Sequence, residues 1–465
     1  MTLKKQSNQG SYSGREGALH VLVRVEGDKA YANLALDQFL RCHALERLER
    51  HLMTELVYGV VRSLNTLDWV LEQFLRQKLV KLTPWIRNIL RLGVYQLIFL
   101  SKIPPGAAVN ESVKLARRYG HAGTVRLVNG VLRNISRGLN NLPWPNQNED
   151  PIAYLAIRHS HPSWLVERWL TRLGFTETEA LCQANNQAAG ISIRCNTLRL
   201  SPAELTQVLQ QEGVKVEASN LIPEGLKIGD FSSIVELKSF EQGFFQVQDE
   251  SSMLVSYVVR PTPGSLVIDA CSAPGGKTTH LAQFMQNQGR ILAFDVHPHK
   301  LGLVEKNCQR LGITNVVVQT GDARELPVEF NGKADFVLVD APCSGLGVLR
   351  RRPDARWRKE PTQIAELAKI QQQILDRVAE CVRPGGVLVY STCTTEPEEN
   401  QGQIQAFLCR HPEFTTNDLT ELIPFPLTGR DDQETAKAGW LQLWPHRHGT
   451  DGFFVSRLVK SETSV

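Results

Sequence analysis

Apolar residues recur every three or four positions along the first third of the chain, which predicts helices throughout residues 15–140. Pro84 and the pair Pro104 and Pro105 are expected to separate these helices. Residues 139–150 contain two prolines and a polar run, which predicts a linker. The helical spacing is carried by Ala18, Leu19, Leu22 and Val25, by Leu52, Leu56, Val57, Val60 and Val61, and by Ile86, Ile89, Leu90, Leu92 and Leu97.

The pattern changes between residues 160 and 260. A helix is expected to extend to about residue 188, with Trp164 and Trp169 in the core, and strand, helix, strand and strand follow, the last two near residues 214 and 234. Arg194 and Asn196 are the candidates for RNA contact in this small α+β unit, although it lacks the aromatic pair with which an RNA-recognition motif stacks bases. Residues 248–252 then cap a further helix.

From residue 264 onwards, buried strands alternate with helices, which predicts a doubly wound parallel sheet. The first unit, residues 265–283, reads as strand, glycine turn and helix, an arrangement that cradles a nucleotide. The turn matches the end of a phosphate-binding P-loop motif, but Cys271 occupies the position of the leading glycine. The G-x-G-x-x-G pattern of dinucleotide-binding proteins is absent. The acidic strand end at Asp269 instead suits a nucleoside with a cationic amino-acid part, such as S-adenosylmethionine.

Acidic residues end the next strands of this predicted sheet. Asp295 ends the second strand, where a carboxylate can hold ribose hydroxyls, and Asp322 ends the third, near the expected adenine. The alternative for any single aspartate is a helix N-cap. Since ligands of such sheets bind beyond the carboxyl ends of the strands, the set together favours a cofactor site.

The fourth and fifth strands are each followed by a cysteine, Cys343 and Cys393. If these strands are neighbours, both thiols face one cleft. Thiolate addition at carbon 6 of a cytosine activates carbon 5 for methylation, and a base must later remove the carbon-5 proton, so two thiols would share the work. Asp340 is positioned to stabilise the activated base, and we expect nearby positive charge to lower the pKa of the attacking thiol. Cys271 is expected to serve through its backbone, and the remaining cysteines are interpreted as buried packing residues: Cys42, Cys182, Cys195, Cys308, Cys381 and Cys409.

The motifs CSAPGGKT, FDV, GDA, DAPCSG and STCT with PEEN resemble, in order and spacing, the Sun/Fmu/RsmB family of RNA cytosine-5 methyltransferases. Segments such as LVYGVVRSLNTLDWVL and VNESVKLARRYG resemble the NusB-like RNA-binding domain, so the similarity runs from about Arg15 to Lys460. The resemblance implies that Cys393 is the nucleophile, that Cys343 aids product release, and that small-subunit (16S) ribosomal RNA is the substrate. The cofactor residues it implies are Cys271, Ser272, Ala273, Pro274, Gly275, Gly276, Lys277, Asp295, Asp322 and Asp340.

Charge is distributed unevenly, because residues 1–150 carry 21 Lys and Arg against 12 Asp and Glu, whereas the net charge of the whole chain is +4. This surplus favours a polyanion partner, and a solvated basic surface is the alternative. Trp357, within the basic run 350–358, is expected to stack on a base or to be buried. The arginines proposed for RNA contact are Arg117, Arg118, Arg126, Arg350, Arg351, Arg352, Arg356 and Arg358.

Other features bound the remaining choices. We find no apolar span of membrane length and no secretory signal, and the nine cysteines include no CxxC pair, so reduced thiols, a cytoplasmic location and no metal site are expected. No obligate protein partner is implied, and we expect a monomer. Two apolar runs near the end predict a hairpin on the sheet edge, with His446 and His448 on the surface of its turn.

We therefore predict an all-α NusB-like domain at 1–145, linker helices and a small α+β, RRM-like unit at 150–260, and a Rossmann-like class I methyltransferase domain at 261–465. The predicted activity is transfer of a methyl group from S-adenosylmethionine to carbon 5 of a cytosine. Two alternatives remain: a P-loop-like ATPase, which would bind ATP and not the methyl donor, and an RNA-binding or antitermination factor with an inactive catalytic domain. The intact thiol pair speaks against the second.

Overall fold

The computed structural model describes residues 12–231 and 233–462, which divide into two compact units. The helical unit comprises the described parts of 1–187 together with 349–358, and the catalytic unit comprises those of 188–348 and 359–465. In the described part of the chain, no helix is both long and apolar enough to cross a membrane.

The helical unit confirms the periodicity of the first third of the chain. Its predicted apolar positions form one core, in which Leu19, Leu56 and Ile89 are fully buried. Each such leucine or isoleucine contributes about 1.5–3 kcal/mol through burial. The helices are α1 (Gly14–Gly27), α2 (Ala32–Cys42), α3 (Arg47–Arg62), α4 (Leu64–Phe74), α5 (Pro84–Phe99), α6 (Pro105–Tyr119), α7 (Ala122–Gly138), α8 (Pro151–Arg158) and α9 (Ser163–Asn186).

Prolines begin helices in this unit, as their missing N–H group favours. Pro84 is the first residue of α5, where the Thr83 side chain caps Ile86 N, and Pro105 is the first residue of α6. Within α9, Gly174 has φ 74° and kinks the helix, while Trp169 is buried in the core as expected.

The small α+β unit is a four-stranded antiparallel sheet in the order β2-β3-β1-β4. The expected strand near residue 234 is wrong, because Ile234–Glu236 forms a 3-10 helix and the strands lie on either side of it. The proposed RNA contacts Arg194 and Asn196 are also wrong, since both are buried and bonded inside the catalytic unit. The elements are β1 (Ile191–Cys195), α10 (Pro202–Gln211), β2 (Lys215–Ala218), β3 (Gly225–Gly229), α11 (Lys238–Glu241) and β4 (Phe245–Val247).

The main sheet has the strand order β10-β12-β9-β8-β5-β6-β7, with β11 paired to β12. Strands β7, β6, β5, β8 and β9 are parallel, so their carboxyl ends meet at one edge, as predicted. The elements are α12 (Glu250–Val259), β5 (Leu266–Asp269), α13 (Gly276–Phe284), β6 (Arg290–Asp295), α14 (Pro298–Leu311), β7 (Val316–Thr320), β8 (Ala334–Asp340), α15 (Pro361–Cys381), β9 (Val382–Thr392), α16 (Gln401–Arg410), β10 (Phe414–Thr416), α17 (Arg430–Lys437), β11 (Trp440–Leu443), α18 (Pro445–His448) and β12 (Phe453–Lys460).

The C-terminal hairpin forms at the edge of the parallel strands, as predicted, with β12 next to β9 and β11 as its outer strand. Strand β12 pairs antiparallel with β9 on one side and with β10 and β11 on the other, so it is an interior strand. The turn contains the one-turn helix α18. His448, which was expected on the surface, also contacts the protein, because its Nε2 lies 3.1 Å from Asp432 Oδ2.

Candidate active site

The predicted cofactor turn joins β5 to α13. Its Gly275 has φ 97°, a conformation that glycine adopts without strain, and it caps the helix that begins at Gly276. A Cβ atom at Gly275 would lie 3.1 Å from Val304 Cα, so a side chain there would be crowded as well as strained. The turn therefore leaves the first N–H groups of α13 available to a ligand.

A cavity of about 160 Å³ lies beside this turn. Its wall includes seven of the ten predicted cofactor residues; Gly275, Asp295 and Asp322 are outside it. The lining residues are Val247, Gln248, Asp249, Ser252, Asp269, Cys271, Ser272, Ala273, Pro274, Gly276, Lys277 and Asp340.

Asp269 is the buried acid of this cavity. Its Oδ2 accepts a 2.7 Å hydrogen bond from Thr278 Oγ1, while Oδ1 is buried without a partner among the described residues. Burial raises the pKa of Asp269 to about 7, opposed by the Thr278 hydrogen bond. A cationic group on a ligand would meet an acceptor that the described protein leaves unused.

Asp295 and Asp322 lie at the carboxyl side of β6 and β7, as the sequence predicted. Asp295 Oδ1 accepts from His297 N at 2.8 Å, but the N-cap of α14 is His297, so Asp295 does not take the N-cap role offered as an alternative. Asp322 lies 2.6 Å from the Arg324 guanidinium, and this hydrogen bond lowers the pKa of Asp322. Both carboxylates are half-buried and keep part of their surface for a ligand.

Asp340 ends β8 and pairs across the sheet with Ser391 of β9. Its Oδ2 lies 2.7 Å from Lys277 Nζ, and its Oδ1 accepts from Ser391 Oγ at 3.0 Å. Lys277 also lies over the Phe453 ring, 5.1 Å from its centroid. The pair fixes one carboxylate between the cofactor turn and the end of β9.

The two predicted thiols come together. Cys343 follows β8, Cys393 follows β9, and their sulfur atoms are 3.3 Å apart. The backbone supports this contact, because Gly347 N donates to Cys393 O at 3.0 Å. The pKa of Cys343, the thiol expected to aid release, is raised well above the usual range by its hydrogen bond with Cys393 and by burial. The lowered pKa expected of the attacking thiol stays a prediction.

The interpretation of the other cysteines is correct for four of six. Cys182, Cys195, Cys308 and Cys381 are buried, whereas Cys42 and Cys409 are exposed. Helices α2 and α16 end at or just beyond the two exposed cysteines, where the helix surface meets solvent.

Sequence reasoning missed the wall of the cavity that is formed by the end of β4 and the start of α12. Val247, Gln248, Asp249 and Ser252 line it, yet residues 248–252 were interpreted only as a helix cap. Buried Arg194 of β1 donates to Gly276 O at 2.6 Å and to Gln248 Oε1, so it supports both walls. The polar run directly after a strand was the available signal.

Part of the basic run 350–358 was predicted to contact RNA but is occupied by contacts within the protein. Arg356 is fully buried in the helical unit, where it donates to Ser160 O and Asn186 Oδ1, each at 2.8 Å. Arg358 donates to the carbonyls of Lys29 and Ala30, and Trp357 Nε1 donates to Val61 O at 2.7 Å. These donors are occupied by main-chain carbonyls and by the Asn186 side chain. The predictions of phosphate contact by Arg356 and Arg358 and of base stacking by Trp357 are therefore wrong. Arg350 and Arg351 are half-buried, and Arg352 is exposed.

The basic residues of α6 and α7 are exposed. Arg117 and Arg126 line a cavity of about 350 Å³ together with His121, Ala122 and Val125. Arg118 is engaged by the buried Glu16 carboxylate at 2.6 Å, which reduces its availability to phosphate.

Comparison with known proteins decides the family. Family models match residues 256–459 (16S rRNA methyltransferase RsmB/F), 13–137 (NusB family) and 161–234 (Methyltr_RsmF/B-like, ferredoxin-like domain). The chain is 40% identical over 450 residues to the Bacillus subtilis (strain 168) protein "Probable ribosomal RNA small subunit methyltransferase B", covering 96% of this chain and 99% of that one. The chain belongs to the RsmB/F family of 16S rRNA methyltransferases.

Solved structures place this RsmB/F family chain in the same fold. The crystal structure of PH0851 superposes with a TM-score of 0.80 at 31% identity, covering 97% of this chain and all of that one. NSun6 from Pyrococcus horikoshii with SFG superposes with a TM-score of 0.58 at 27% identity, covering 65% of this chain and 99% of that one. The NusB-like, small α+β and methyltransferase parts predicted for the chain are thereby confirmed, and so is an rRNA methyltransferase activity. The ATPase alternative finds no support.

Proposed function

We propose that this enzyme transfers the methyl group of S-adenosylmethionine to carbon 5 of a cytosine in 16S rRNA through a covalent cysteine–cytosine intermediate. The observation that carries the proposal is the 3.3 Å contact between the sulfur atoms of Cys343 and Cys393, at the ends of adjacent parallel strands. We further propose that it acts in the cytoplasm, on ribosomal RNA.

The residues of the cofactor turn suit the methyl donor. Asp269 Oδ1, which has no hydrogen-bond partner in the described part of the chain, is proposed to accept from the ammonium group, and the N-terminus of α13 suits an anionic or polar group. A cavity of about 160 Å³ is smaller than the roughly 300–1,000 Å³ of typical ligand sites, so the nucleoside would extend beyond it, along Asp295 and Asp322. When bound, the cofactor supplies an electrophilic methyl group. The SFG-bound neighbour, solved with an analogue of the methyl donor, supports this choice.

The thiol pair suits a division of roles. Since the pKa of Cys343 is raised by its contact with Cys393, Cys343 retains its proton and can donate a hydrogen bond to a Cys393 thiolate. The Cys393 thiolate adds to carbon 6, and carbon 5 then takes the methyl group. Once Cys393 is bonded to carbon, the main cause that raises the Cys343 pKa is removed. Cys343 then loses its proton to solvent and accepts the carbon-5 proton, and the Cys393–carbon bond breaks to restore the double bond.

Asp340 suits the cytosine. Lys277 and Ser391 hold its carboxylate in place, which leaves it able to accept a hydrogen bond from the activated ring. Exposed Arg117, Arg118, Arg126 and Arg352 are proposed for phosphate contact, together with the half-buried Arg350 and Arg351.

The test follows each thiol separately. Cys393→Ser should abolish both methylation and the RNA adduct, whereas Cys343→Ser should accumulate a covalent RNA adduct through Cys393. The assay is a denaturing gel of enzyme incubated with unmodified 16S rRNA transcript and S-adenosylmethionine. The reverse pattern would exchange the two roles, and 5-methylcytosine absent from the wild-type product would refute the reaction.

A further inference from the structure

Glu399 is a buried carboxylate that, together with Gln371, holds the Cys343 loop on both sides of the thiol. Its Oε1 accepts from Ser344 N at 2.8 Å, and its Oε2 accepts from Ser344 Oγ at 2.5 Å. Gln371 of α15 completes the arrangement, because its Nε2 donates to Pro342 O and to Glu399 Oε1, each at 3.0 Å. The residues before and after Cys343 are therefore fixed by one connected pair of buried side chains.

Asn400 does the same for the Cys393 loop. Its Oδ1 accepts from Thr392 Oγ1 at 2.5 Å, and its Nδ2 donates to Thr394 O at 3.0 Å, so it spans Cys393. The same Nδ2 group donates to Gln442 Oε1 of β11 at 2.8 Å, which anchors it to the hairpin. Asn400 is also fully buried.

The two loops are joined directly as well. Ser344 Oγ lies 2.8 Å from Thr394 Oγ1, and this hydroxyl pair connects the residue that Glu399 holds to one that Asn400 holds. Two consecutive residues thus control the separate main-chain segments that carry the two sulfur atoms.

A purely structural role is a poor account of Glu399. Burying a carboxylate costs free energy, and an apolar side chain of similar size would pack without that cost. The side-chain hydrogen bonds of Glu399 go mainly to Ser344 of the Cys343 loop and to the glutamine that also holds that loop, and one further bond joins Thr394 beside Cys393. Burial raises the pKa of Glu399, and these hydrogen bonds lower it, as expected for a carboxylate retained for its acceptors.

We propose that Glu399 and Asn400 are positioning residues for the two thiols: Glu399, with Gln371, sets Cys343 for release, and Asn400 sets Cys393 for attack. The proposal rests on the proposed function and deepens it. Since a misplacement of about 1 Å can cost on the order of a hundredfold in rate, loss of either contact set should affect its own step strongly.

The first experiment separates attack from release. Glu399→Gln keeps the size of the side chain but loses an acceptor for Ser344, and Gln371→Ala removes the partner clamp. Both variants should accumulate RNA adduct and release methylated RNA on the order of a hundredfold more slowly. Asn400→Ala should instead lose adduct and methylation together. Glu398→Gln, an exposed carboxylate one position earlier, is the matched control and should behave as wild type.

The second experiment needs no RNA, so it stands if the proposed function fails. Iodoacetamide labelling of the cofactor-free protein, read by peptide mass spectrometry, gives the ratio of Cys343 to Cys393 alkylation. A released thiol reacts faster, so Glu399→Gln should raise this ratio severalfold and Asn400→Ala should lower it. Thermal unfolding and S-adenosylhomocysteine affinity identify any variant that has simply lost its fold.

Two results would overturn the proposal. One is an equal decrease of adduct and methylated product in the Glu399 and Asn400 variants, which would indicate a general structural role. The other is an alkylation ratio that stays at the wild-type value in both. If Cys343→Ser enzyme forms no adduct, yet Glu399→Gln and Asn400→Ala show the two opposite shifts in alkylation, the proposed function is refuted and the positioning is left intact.

Discussion

If the proposed pairing of Asp269 with the ammonium group of the cofactor is correct, the affinity for the cofactor should depend on pH in a calculable way. The pKa of Asp269 is raised to about 7 by burial, and a protonated carboxyl cannot pair with the ammonium group of the ligand. Binding at a given pH is weakened by the factor 1 + 10^(pKa − pH), which is about elevenfold at pH 6 and about 1.1-fold at pH 8. The affinity should therefore rise about tenfold between pH 6 and pH 8.

Calorimetric titration with S-adenosylhomocysteine measures this directly, because the product carries the same ammonium group without being consumed. Asp269→Asn should bind weakly with no pH slope, and Thr278→Val should move the midpoint to higher pH, since the Thr278 hydrogen bond lowers the Asp269 pKa. Glu305→Gln, an exposed carboxylate on α14, is the control. A wild-type affinity equal at pH 6 and pH 8, or an Asp269→Asn variant that keeps the slope, would refute the reasoning.

The same group affects stability with a defined sign. The pKa of Asp269 in the folded state lies above the usual 3.8, so the folded state holds this proton more tightly than the unfolded state does. The stability gained from the proton is therefore fully present below pH 3.8 and is lost as the pH rises through 7. The change of the Asp269 pKa from 3.8 to about 7 corresponds to at most about 4 kcal/mol of stability. Cofactor-free Asp269→Asn should thus gain thermal stability over wild type at pH 8 and lose this advantage towards pH 4.

Two further predictions concern the basic residues. Arg356→Met should destabilise the helical unit by about 3 kcal/mol in urea unfolding, because it leaves the carbonyls of Ser160 and Asn185 buried and unpaired. The control Arg352→Met should change the free energy of unfolding by no more than about 0.5 kcal/mol. If Arg356→Met instead lost RNA affinity with unchanged stability, the RNA role of Arg356 would be restored. The double variant Arg117→Ala with Arg126→Ala should reduce the slope of log affinity for RNA against log salt concentration by about 1.4–1.8. Arg118→Ala should reduce this slope by less, because Glu16 already engages that guanidinium. Equal slopes for all these variants would show that this surface does not contact phosphate.

The sequence predicted those features of the fold that follow from local periodicity. Helical spacing located the core of the helical unit, and alternating strands and helices located the parallel sheet. The neighbouring positions of β8 and β9 followed from the sheet order expected of a methyltransferase, and they bring Cys343 and Cys393 together. The prediction of a strand near residue 234 was wrong although it rested on the same kind of apolar run as the correct ones. A short apolar run does not distinguish a strand from a 3-10 turn.

The basic run 350–358 shows what local pattern cannot supply. A run of arginines beside a tryptophan suggests a nucleic-acid contact, but Arg356 meets main-chain carbonyls near the end of α9 and after α8. Those acceptors carry no sequence signature, because every residue has a carbonyl and only the fold determines which ones are left unpaired.

The pKa of Cys343 also depends on a neighbour that only the fold brings close, and this dependence bears on the order of the reaction steps. Sequence reasoning looked for a cation that would lower a thiol pKa, whereas the strongest influence on Cys343 is the second sulfur atom, 3.3 Å away. An effect that belongs to the pair changes when either member reacts. Under the proposed mechanism, bond formation by Cys393 therefore prepares Cys343 for the release step, so the order of attack before release follows from the contact itself.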